Sequence, residues 1–110
     1  MKLRELAHSR AGDKGDTSNL SLIAYDARHY EHLRRHATAA AVRAHLAGIV
    51  AGEVVRHELP ALGAFNFVLT RALGGGVTRS LAIDAHGKSL SSALLELELP
   101  APDDERAPAR

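Results

Sequence analysis

The chain has no cysteine and no tryptophan, a single methionine, and only two Tyr and two Phe as aromatic side chains. Without thiols there is no disulfide scaffold, no Cys nucleophile, no thiolate zinc site and no Cys-ligated iron–sulfur cluster. No stretch approaches the roughly eighteen consecutive apolar residues of a membrane-spanning helix. The first ten residues carry Lys2, Arg4 and Glu5 and have no apolar h-region, so they do not read as a secretory signal, and a cytoplasmic location is the expectation. Neither sign of charge is in excess: 14 Lys plus Arg against 13 Asp plus Glu leave +1. That is too little to imply a nucleic-acid or membrane partner.

What remains is 110 residues, 45% hydrophobic and 25% charged, an ordinary composition for one globular domain. A chain of this size buries roughly 65% of its extended surface on folding, enough for a core without covalent staples. We read residues 1–99 as that domain and residues 100–110 as a disordered tail, since Pro100 onward is dense in proline and charge.

Along the chain, Lys2–His8 reads as a strand, and His8–Asn19 as a loop because nearly every residue there is a turn former, a charge or a small hydroxyl. Leu20–Tyr25 suits an interior strand. Asp26 is placed to cap a helix over Arg28–His36, with Tyr30 and Leu33 facing inward and Glu31 set to meet Arg35. Thr38 caps a second helix, Ala39–Ala47, with Val42, Leu46 and Ile49 inward and Gly48 at the expected left-handed C-cap. Glu53–Leu59 reads as a strand stopped by Pro60, and Gly52 marks a bulge or a close approach.

The spacing of Phe65, Val68, Leu69, Ala72 and Leu73 predicts a helix over Ala64–Leu73, ended by Gly74, Gly75 and Gly76. Val77–Ile83 alternates as a strand. Ser91–Leu99 fits a strand with Glu96 and Glu98 outward, although Leu90, Leu94 and Leu97 also suit a helix. The sum is an α+β sandwich, helices on one side of a mainly antiparallel sheet.

Three constellations carry candidate chemistry. Around two glycines, the first loop concentrates His8, Ser9, Arg10, Asp13, Lys14, Asp16, Thr17, Ser18 and Asn19. Arg10 and Lys14 there suit capture of a phosphate or carboxylate, Asp13 and Asp16 suit a hard cation, and the residues by themselves equally suit a hydrogen-bonded connector whose Asp and Ser/Thr side chains satisfy their own backbone. It matches neither the P-loop nor the EF-hand spacing. The second is Gly74-Gly75-Gly76-Val77-Thr78-Arg79-Ser80, where a close-approaching backbone precedes a cation. The third is His29, His32 and His36, which share a helical face but lie among Arg28, Arg34 and Arg35, so a solvated polar face is expected rather than a metal site.

No G-x-S-x-G or H-E-x-x-H nucleophile or metalloprotease signature is present. Gly63-Ala64-Phe65-Asn66-Phe67-Val68 looks superficially like an RNA-binding strand core, but it falls in the helical pattern.

His8–Asn19, Glu58–Leu69 and Ala72–Leu81, in that order, resemble the AtuA-like ferredoxin-fold family. It occurs as the C-terminal domain of acyclic terpene utilisation proteins and as a small free-standing chain. The resemblance spans about residues 3 to 99 and implies a ferredoxin-like two-layer α+β sandwich, without a cluster. It further implies a role beside a large AtuA-type subunit in catabolism of acyclic terpenoid or branched acyl compounds as CoA thioesters. It brings no catalytic mechanism, and it favours the two glycine segments as the functional ones.

On this reading Arg10, Lys14 and Arg79 position an anionic acyl ligand, with Asn19, Asn66, Gly74, Gly75 and Gly76 also at the ligand. Asp13 and Asp16 orient the cations or hold a magnesium ion. Two rivals stand beside it. One is a stand-alone enzyme using His8 as acid or base with Asp13 or Asp16 orienting it. The other is a homo-oligomer without catalysis that pairs through an open sheet face or strand edge.

Overall fold

A computed structural model describes residues 1–14, 17–48, 50, 52–71 and 89–102, with the backbone alone at 13, 14 and 89. Its sheet comprises β1 (Ala7–Lys14), β2 (Thr17–Ala24), β3 (Val54–Leu59) and β4 (Ala64–Leu69), in spatial order β1-β2-β4-β3 and antiparallel throughout. Between β2 and β3 lie α1 (Tyr30–His36) and α2 (Ala39–His45), and α3 (Ser89–Leu95) follows β4. Counting α1 and α2 as one helical layer, β2 through α3 run β-α-β-β-α, the first five elements of the split βαβ pattern. The remaining edge place beside β2 is taken by β1, which precedes the pattern in sequence. This is the α+β, ferredoxin-like sandwich that the resemblance implies.

Strand alternation splits the sheet cleanly. Leu20 and Leu22 of β2 and Phe65, Phe67 and Leu69 of β4 are buried on one side. All three helices meet them in one core, through Leu33 of α1, Val42 of α2 and Leu90 and Leu94 of α3. Tyr30 stacks on Phe65 with ring centroids 4.7 Å apart. Among the described residues no helix is long and apolar enough to cross a membrane.

Thr38 caps α2 as the sequence predicts, its Oγ1 accepting from the Ala41 amide at 3.1 Å. Asp26 Oδ1 accepts from the Arg28 amide at 3.0 Å, but it caps a 3-10 turn (Ala27–His29) that leads into α1, whose own N-cap is His29. Gly52 is a close approach. A Cβ there would stand 2.2 Å from the Thr70 carbonyl oxygen, and the Gly52 carbonyl accepts from Arg43 Nε at 3.1 Å. One backbone position thus joins α2 to the sheet.

Several expectations are corrected. Lys2–His8 is not one strand: Leu3–Glu5 form a 3-10 turn and β1 begins at Ala7. His8–Asn19 is not a loop; it is zipped into the β1–β2 ladder as far as Lys14↔Thr17. Its turn-forming residues are tolerated because β1 lies at an edge of the sheet that the described strands form, and backbone pairing does not depend on side-chain type. Ala64–Leu69 is a strand, not a helix, and Phe65, Asn66, Phe67, Val68 and Leu69 alternate in burial. The chain enters it through Gly63, left-handed at φ 61°, and hydrogen-bonded neighbours on both sides, β2 and β3, outweigh the helical spacing. That spacing depended on Ala72 and Leu73, beyond the end of the strand.

Ser89–Leu95 is a helix rather than a strand, because Leu90 and Leu94, four apart, are both buried. Only the segment after it is extended, with Glu98 bridging Lys2. Glu31 pairs with Arg34 at 2.6 Å rather than with Arg35. Gly48 is not a left-handed cap, since α2 closes at Leu46. The strand predicted over Val77–Ile83 lies outside the described residues.

Candidate functional site: the open face of the sheet

The residues that alternate with the core ones make up the other face. In register across β1-β2-β4-β3, Arg10, Ser21, Asn66 and His57 form one row. With three strand spacings between Arg10 and His57, the row is about 14 Å wide. On one side of it stand Gly12, Asn19, Val68 and Val55; on the other stand His8, Ile23, Ala64 and Leu59. Four predicted site residues, His8, Arg10, Asn19 and Asn66, therefore share a face although they span almost sixty positions of sequence.

The chemistry of this face differs from that of the rest of the surface. Arg10 and Asn19 are exposed, while His8, Ser21 and Asn66 are half-buried. No Asp or Glu stands at any described position of these rows, and Arg10 makes no ion pair with a described residue. Ser21 Oγ accepts from the Arg10 amide at 3.2 Å, which pins β1 to β2 at the centre of the row. At the end of β2, Tyr25 is 65% exposed and its ring lies 5.5 Å from that of His8. A cation, an amide and imidazoles with no carboxylate beside them can accept an anionic group, and the apolar flank can cover an aliphatic one.

The other predicted residues are distributed as follows. Asp13 sits on β1 opposite Ser18, five residues from His8 and of opposite parity; that is about 17 Å along an extended strand. Lys14 pairs in register with Thr17. Asp16, Gly74, Gly75, Gly76 and Arg79 lie outside the described residues. Among the described residues no group of three or more His, Asp or Glu could hold a metal ion. The expected solvated histidine face is corrected in part. His29 is buried, and His32 and His36 are half-buried with rings 4.5 Å apart. His32 Nε2 meets the Pro100 carbonyl at 2.7 Å. Burial, with His32 and Arg35 adding to it, holds the His36 imidazole below its ordinary value.

The RNA-binding look of Gly63–Val68 also resolves. The segment is a strand after all, but Phe65 and Phe67 are both fully buried under the helices, so they offer no stacking platform for bases. Ser21, Tyr25 and His57 are the residues of this face that sequence reasoning missed. Their signal was the alternation of each strand, and it became usable only with the register that puts His57 beside Asn66.

No curated protein and no solved structure matches the chain. The profile of the AtuA ferredoxin-like domain matches residues 1–100. That match takes in every described strand and helix, together with the open face they build, and on it the chain belongs to the AtuA ferredoxin-like domain family.

Proposed function

We propose that this chain is the small accessory subunit, or domain partner, of an AtuA-type enzyme in the cytoplasmic catabolism of acyclic terpenoid or branched acyl-CoA compounds. Its open sheet face meets the anionic part of the ligand. The supporting observation is the row Arg10–Ser21–Asn66–His57, with its exposed guanidinium and no carboxylate among the described residues of the face. Arg10 supplies charge, Asn66 an amide hydrogen bond, and Tyr25, Ile23 and Leu59 an apolar flank for an acyl chain or for the large subunit. Lys14 and Arg79, with the triglycine Gly74–Gly76, belong to the same reading as further anion contacts, and Asp13 and Asp16 as the groups that orient the cations or hold magnesium.

Co-expression with a tagged large AtuA-type chain tests the subunit role. The expected result is a stable complex that binds a branched acyl-CoA thioester more tightly than either chain alone. If this chain elutes alone and the large chain binds the thioester equally well without it, the reading fails.

A further inference from the structure

The two edges of the sheet are not alike. β1 carries the exposed Arg10, a charge that disfavours edge-to-edge pairing. β3 carries Val54-Val55-Arg56-His57-Glu58-Leu59, and among the described residues nothing pairs with its outer edge. Val55 and Leu59 are 46% and 39% exposed there.

The hydrogen-bond phase of that edge is readable. The Thr70 amide donates to the Glu53 carbonyl at 3.0 Å, so Glu53 and Thr70 are a hydrogen-bonded pair. Alternation makes Val55, His57 and Leu59 the residues bonded to β4. The N–H and C=O groups of Val54, Arg56 and Glu58 consequently point to the free edge.

A second β3 strand can add antiparallel only where outward groups meet outward groups. Two registers then overlap the strand best. One centres on Arg56 and sets Arg56 against its own copy. The other centres on His57 and sets Arg56 opposite Glu58, Glu58 opposite Arg56, and Val55 opposite Leu59. Like charges directly opposite destabilise and unlike charges stabilise, so the second register is favoured.

Arg56 is already held in place for it. Its Nη1 donates to the Arg34 and Ala37 carbonyls at 2.8 and 3.0 Å, its Nη2 to Glu58 Oε2 at 2.9 Å, and its guanidinium lies 5.0 Å from the Phe65 ring centroid. Little side-chain entropy is left to lose.

We propose that β3 pairs with β3 of a second copy of this chain about a two-fold axis at His57, forming a continuous eight-stranded sheet. The helices of both copies lie on one side and the two open faces join into one. The row Arg10–Ser21–Asn66–His57 then continues through the partner copy's row in reverse order. This inference does not depend on the large-subunit reading.

The absence of cysteine makes the test clean. In the proposed register His57 faces its own copy in a non-hydrogen-bonded pair with Cα atoms about 4.5 Å apart, inside the disulfide range. Val55 is about 14 Å from its copy. Wild-type protein should sediment as a dimer that dissociates on dilution. Under mild oxidation H57C should form a disulfide-linked dimer and V55C should not.

Glu58→Arg and Val55→Lys, both at exposed positions, should each weaken the dimer about tenfold or more with an unchanged circular dichroism spectrum. The proposal is overturned by a wild-type monomer at every concentration. It is equally overturned by V55C linking as fast as H57C, or by a dimer indifferent to both charge substitutions.

Discussion

The two faces of the sheet are cut from the same strands, yet they carry opposite kinds of chemistry. On β4, Phe65, Phe67 and Leu69 are wholly buried, while Asn66 and Val68, one position away, are only half-buried on the other side. On β2, Leu20 and Leu22 are in the core and Asn19 and Ser21 are outside it. Successive side chains point to opposite faces, so a single strand can supply stability through one set of residues and recognition through the other. The covered face tolerates little change, since its side chains interlock with three helices. The open face is free to carry an arginine, an asparagine and imidazoles because no described element packs over it at interior density.

The comparison is broken most directly on neighbouring residues. Phe67→Ala should cost about 3–5 kcal/mol in urea denaturation, whereas Asn66→Ala should stay within about 0.5 kcal/mol. Equal losses would mean that the faces are not distinct. Gly52→Ala tests the junction between the layers. A Cβ at 2.2 Å from the Thr70 carbonyl oxygen must force the chain ahead of β3 away from the end of β4, for an expected loss of about 1–3 kcal/mol in the same measurement.

Arg10→Ala should leave the melting temperature unchanged and weaken acyl-CoA binding by the complex about tenfold in calorimetric titration, the scale of one hydrogen bond to a charged group.

The smallest effect comes from the helical layer. Burial depresses His36, so the unfolded chain takes up the proton first. Stability present above the ordinary histidine value of about 6.5 is therefore lost as pH falls through and below it. His36→Gln should flatten that part of the stability profile. A further decline at more acidic pH should remain in the variant. Glu96 is held low chiefly by its hydrogen bond from Lys2, and Glu98 by that from the terminal ammonium. Both lose those partners once protonated, as pH falls below the ordinary glutamate value of about 4.3.

Much of the fold was legible where local physics decides alone. Asp26 and Thr38 bind the amides expected of caps, Pro60 ends β3, and Tyr30, Leu33, Val42 and Leu46 turn inward as their spacing requires. Legibility failed where two periods compete over a short apolar run. Ala64–Leu69 satisfies helix and strand spacing alike, and its neighbours β2 and β3 settled the matter. Ser91–Leu99 failed in the opposite sense, because burial of Leu90 and Leu94 against β1 and the core outweighed the alternation of Glu96 and Glu98. The candidate site was half visible. His8, Arg10, Asn19 and Asn66 stood out by chemistry, whereas Ser21, Tyr25 and His57 carry no local signal.

The sequence on its own shows that the chain supplies no thiol and carries a net charge of only +1, which residues cap the helical segments between β2 and β3, and to which family the three motif blocks point. Those are properties of composition and of contacts within a few residues. Only the tertiary structure decided that a polar, turn-rich segment is an edge hairpin and that residues as distant as Arg10 and Asn66 lie in one row. It also decided that the phenylalanines of the RNA-like motif face the core. Strand partners and register depend on contacts between residues far apart in the chain, and no window of local sequence contains them.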